Sequence, residues 1–103
     1  MSLTLRVSFE AEEQVEYLSA WWREHRSSAR SLRDLLADTL AAIQSAPHGS
    51  PVYAKIDGEV VRYRMVESTP YAAFYFVDAQ QAAVVVLSVW SRQRGEGPPL
   101  RVR

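Results

Sequence analysis

Leu3, Leu5, Val7 and Phe9 alternate with Thr4, Arg6 and Ser8, the period-two pattern of a strand with one buried face. From Glu10 the period lengthens. Ala11, Val15, Leu18 and Trp22 recur at helical steps, which lines them along one face of a helix. Tyr17 and Trp21 sit beside that stripe and widen it, so the helix is expected to pack against two neighbours. Glu10, Glu12, Glu13 and Glu16 fall in its first turns, where negative charge suits the positive end of the helix dipole. Ser27 and Ser28 break the pattern, and either suits the cap of a following helix. Leu32, Leu35, Leu36, Leu40 and Ile43 predict that second amphipathic helix, ended before Pro47. The short joint makes the two an antiparallel hairpin.

After the loop "APHGSP" the reading changes to strands. Val61, Tyr63 and Met65 alternate with Arg62 and Arg64, so both arginines point to the same face of one strand. Ser68-Thr69-Pro70 is a turn. Tyr71 to Val77 is apolar on both faces, as in a central strand, Asp78 to Gln81 is a hairpin loop, and Ala83 to Trp90 is a further strand buried on both faces. Pro98 and Pro99 stop any helix or inner strand beyond Gly95. The order strand, helix, helix, strand, strand, strand predicts an α+β two-layer sandwich. In it the helical hairpin covers one face of a mostly antiparallel four-stranded sheet. Residues 1–95 form the single domain and 96–103 an extended or loosely ordered tail.

Length and composition narrow the function classes. A chain of 103 residues has material for one core and no more. Without cysteine it has neither disulfides nor cysteine-ligated zinc. No apolar stretch near Met1 is long enough for a signal peptide, and none elsewhere spans a bilayer. A cytoplasmic protein without membrane partners is the expectation. Twelve basic and twelve acidic side chains cancel, whereas proteins that live on nucleic acid usually carry a basic excess. The charges are unevenly spread, with glutamates crowding the first third and Arg92, Arg94, Arg101 and Arg103 at the end. Both groups also read as solvated faces.

Conventional catalytic sets are sparse. His25 and His48 are the only histidines and lie far apart in sequence, so no metal site is expected. Ser91 has no histidine base in its context. Only four glycines are present, none in a phosphate-cradling loop, and no cofactor is expected. One set remains, made of Lys55, Arg62, Arg64, Arg92 and Arg94, with Tyr63, Tyr75 and Trp90 nearby. The bland reading of Arg62 and Arg64 is pairing with Glu59, Glu67 or Asp78, each exposed pair contributing at most about 1 kcal/mol. Trp22 and Trp90 read as core, while Tyr17 and Trp21 are candidates for a partner interface.

Three stretches together resemble the RelE/ParE superfamily of bacterial type II toxin–antitoxin toxins, ParE-like members more than RelE-like ones. They are "FEAEEQVEYLSAWWREHR", "LADTLAAIQSAPHGSP" and "VVRYRMVESTPYAAFYFVDAQQAAVVVLSVWSRQRG". The likeness runs from about Val7 to Gly95 and rests on the combination rather than on any one motif. It departs from the family where Ser91 follows Trp90, a place often held by histidine, and where Arg62-Tyr63-Arg64 replaces an adjacent arginine pair. The resemblance implies a toxin of a type II pair, neutralised by a cognate antitoxin and poisoning DNA gyrase as ParE does; Arg62, Arg64, Arg92 and Arg94 would then be target contacts.

The RelE-like alternative is a metal-independent endoribonuclease that cuts messenger RNA on the ribosome. In that case Arg62 and Arg92 would hold the phosphate, Arg64 and Arg94 would support them, and Lys55 would transfer a proton. A third alternative is a toxin fold kept only as a binding module. Tyr17 and Trp21 are the antitoxin-binding candidates under each reading, and the resemblance leaves room for a homodimer.

Overall fold

The structure is a computed structural model and describes residues 3–25, 30–93 and 95–102. The chain runs through β1 (Thr4–Val7), α1 (Phe9–His25), α2 (Leu32–Ser45), β2 (Val52–Ile56), β3 (Glu59–Met65), β4 (Tyr71–Asp78) and β5 (Ala83–Ser91). The α+β two-layer architecture is as the pattern predicts, with both helices against one face of the sheet. The strand count is not four. Five strands lie in the order β1-β5-β4-β3-β2, and the sheet is mixed, because β1 joins β5 in parallel while the other pairs are antiparallel.

The additional strand is β2, which follows the loop ending at Pro51 and which the hydrophobic pattern does not predict. Asp57 and Gly58 connect it to β3 with positive φ values of 52° and 84°. A two-residue Asp-Gly turn of this kind matches the twist of a β-hairpin, and glycine carries the second positive φ without strain. At the other edge the first strand is shorter than its alternation suggests. Phe9 opens α1 and is 74% exposed, because the Ser8 hydroxyl caps the helix by accepting the Ala11 amide hydrogen. The cap of α2 is Ser31, which accepts from the Asp34 N–H at 3.1 Å. Ser27 and Ser28, the expected caps, lie outside the described residues.

Two cores result, one on each face of the sheet. The helix-side core joins Ala11, Val15 and Trp22 of α1 and Leu32, Leu36 and Ile43 of α2 to Ala73, Tyr75, Val86 and Val89 of the sheet. Trp22 is 5% exposed, and its indole N–H donates to the Arg30 carbonyl, so the aromatic body is buried with its polar edge satisfied. The outer core holds Val61, Ala72, Phe74, Phe76 and Leu87, with Tyr53, Tyr63 and Trp90 against it. Among the described residues no helix covers that outer face. Its cover is the C-terminal segment, in which Pro98 is buried and Leu100 and Val102 pack on the aromatic cluster.

Candidate functional site

Alternation along β3 decides where the arginines go. Arg62 is opposite Tyr75 and Arg64 opposite Ala73, and Tyr75 and Ala73 belong to the helix-side core; cross-strand partners share a face. Tyr63 is opposite Phe74 and therefore lies on the outer face. Lys55 is exposed on β2 opposite Val60, which has the parity of Arg62, so it faces the helix side at the sheet edge. Arg92 takes the other side, its guanidinium 4.7 Å from the Tyr63 ring centre and 6.0 Å from that of Phe74. The sheet thus stands between Arg62, Arg64 and Lys55 on one face and Arg92 on the other. Arg94 lies outside the described residues.

The bonds made by these side chains differ as much as their faces. Arg62 Nη1 donates to the Ser50 carbonyl at 2.7 Å, and the Tyr75 hydroxyl donates to the Pro47 carbonyl at 3.0 Å. Together they pin the turn between α2 and β2 to the sheet. Arg64 is exposed. Among the described residues the single salt bridge is Arg30 to Asp38 at 2.8 Å, so Glu59, Glu67 and Asp78 are not the partners of Arg62 or Arg64. Asp78 instead caps its own hairpin by accepting the N–H groups of Gln80 and Gln81.

On the outer face the rings form a continuous patch. Tyr53 meets Phe74 edge-to-face at 4.9 Å, and Tyr63 stacks on Phe74 at 5.9 Å. Trp90, expected in the core, is half-buried at the rim of this patch, with its indole N–H donating to the Glu96 carbonyl at 3.2 Å. The Val102 N–H donates to the Asp57 carboxylate at 3.1 Å. A Cβ at Gly97 would run into the Tyr53 hydroxyl. The segment therefore lies directly on the rings, leaving Arg92 exposed at their border.

Tyr17 and Trp21 come together on the opposite side of the molecule, along the outward flank of α1. Tyr17 is 68% exposed and Trp21 37% exposed, and Trp21 stacks on His25 at 4.3 Å. His25 Nδ1 lies 2.9 Å from the Trp21 carbonyl, which only accepts, so that nitrogen carries the proton. Between this flank and the end of β5 runs a cavity of about 430 Å³ lined by Glu10, Glu13, Gln14, Tyr17, Leu18 and Ser91, among others. A second cavity continues it past Trp21 to Pro70 and Gln93. On sequence grounds Glu10 and Glu13 read as dipole-complementing surface charge, and nothing in the pattern singles out Gln14. Among the described residues no group of three His, Cys, Asp or Glu is placed to hold a metal ion, and no helix is long and apolar enough to cross a membrane.

The helical hairpin packed on one face of a mixed five-stranded sheet is a fold shared with a solved structure. Among solved structures the chain is similar to the E. coli toxin RelE, seen in the free state as a double arginine-to-alanine variant. The TM-score is 0.59, over 90% of this chain and 86% of that one, at 20% identity. No family model matches the sequence, and no curated protein matches it significantly.

Proposed function

We propose that this chain is the toxin of a type II toxin–antitoxin pair and arrests growth by binding DNA gyrase, as ParE-like toxins do. The RelE-like fold supports the toxin part of this reading. The observation that carries the rest is the division of the basic side chains across the sheet. Cleavage of RNA without a metal, by attack of a 2′-hydroxyl, needs positive charge preorganised around one phosphate. Here Arg62 is occupied by the Ser50 carbonyl, and Arg92 lies over Tyr63 on the other face. Zero net charge also suits a protein target better than a site walled by RNA phosphate.

Under this reading Arg92, exposed at the border of the covered rings, contacts the target, and an antitoxin engages Tyr17 and Trp21 along α1. The second reading is a ribosome-dependent ribonuclease, favoured by the fold likeness to toxin RelE. Pulse-labelling of DNA and protein synthesis, minutes after inducing the chain without antitoxin, separates the two. An early fall in DNA synthesis is expected. An early fall in protein synthesis would replace gyrase by the ribosome, and no fall in either would leave a toxin fold used only for binding.

A further inference from the structure

The longer strand of the parallel pair is left open at one end. Register between β1 and β5 stops at Val7 and Val86, while β5 continues to Ser91. The first two open positions are closed locally. The Ser8 hydroxyl donates to the Leu87 carbonyl at 3.2 Å, and Gln14 Oε1 accepts the Val89 N–H at 2.8 Å. The Arg92 N–H points to β4, where it bonds the Pro70 carbonyl. Strand alternation therefore turns the Val89 carbonyl and the Ser91 N–H away from β4 and into the cavity beneath α1.

We propose that this groove docks an extended, basic segment of the neutralising partner, added as a short strand to the open end of β5. A helix has no free backbone groups along its flank, whereas a strand offers a carbonyl and an N–H at the matching spacing. Glu10 and Glu13 are the only charged residues lining the two cavities among the described residues, so lysine or arginine is favoured on the side chains facing α1. Tyr17, Leu18 and Trp21 supply an apolar wall for the residues between. The chain's own basic C-terminal segment is engaged on the opposite face of the sheet. The proposal rests on the toxin reading only in calling the segment's owner an antitoxin, because the groove's chemistry does not depend on toxicity.

Amide NMR titration of the full chain with a blocked hexapeptide of alternating valine and arginine tests it, with glutamate replacing arginine in the control. The expected result is a set of shifts centred on Tyr17, Val89 and Ser91, with hydrogen exchange at the Ser91 amide slowed by the arginine peptide alone. The Glu13→Lys variant, at an exposed position, should keep its spectrum and bind about tenfold more weakly. Equal binding of both peptides, or shifts centred on Tyr63 and Phe74, would overturn the proposal. Protection of Ser91 that rises with protein concentration in the absence of peptide would make a second copy the occupant and overturn it as well.

Discussion

Arg62 donates to the Ser50 carbonyl in a turn whose Ser50 is buried, whereas Arg92 is exposed and rests on a tyrosine ring. Arg62→Ala leaves that carbonyl without its charged donor and should cost about 2 kcal/mol, read as a lower urea midpoint. Any loss of toxicity in this variant then follows stability. Arg92→Ala loses only an exposed cation–π contact of about 0.5–1 kcal/mol. Its unfolding midpoint should scarcely move while toxicity in an induction assay is lost. Alternation in "RYR" was enough to place Arg62 and Arg64 on one face. It carried no information about Arg92, whose side is set by the pairing of β4 with β5 and by the turn after Ser91. Trp21→Ala should weaken antitoxin binding by about 1 kcal/mol or more, and an unchanged affinity by titration would remove Trp21 from the interface.

At the scale of elements, the helices and central strands were legible because burial imposes a period on them, as in Ala11-Val15-Trp22 and Leu32-Leu36-Ile43. β2 was not. It is an edge strand with Val52 and Lys55 exposed, so burial leaves little alternation in "VYAKI"; the Asp57-Gly58 turn was the available signal. Parallel pairing of β1 with β5 depends on contacts spanning most of the chain and has no local signature. The same pairing makes Gln14 a structural residue, since it accepts from both the Ser88 hydroxyl and the Val89 N–H. Gln14→Ala strands that backbone donor at the open end of β5 and should cost about 1–3 kcal/mol. Hydrogen exchange should rise at Val89 before it rises at Ala73.

For the whole molecule, the helices serve one face of the sheet and the C-terminal segment the other. The prolines were enough to exclude a helix there, but not to show that Leu100 and Val102 would turn inward onto the outer core of Val61, Phe74, Phe76 and Leu87. Deleting residues 96–103 should lower stability by about 2–4 kcal/mol, the scale for uncovering two aliphatic side chains and the rings beneath them. It should also promote self-association, visible by sedimentation, because a bare aromatic patch is a poor solvent surface.

The candidate working surface was only partly readable for the same reason: its charges come from β3 and from the end of β5, and only the folded sheet reveals that they face opposite ways. Incubating purified chain with purified gyrase and supercoiled plasmid tests that account most directly. Accumulation of linear plasmid after protein denaturation, abolished by Arg92→Ala, is the predicted result. Undisturbed supercoiling together with cleavage of messenger RNA on purified ribosomes would contradict it.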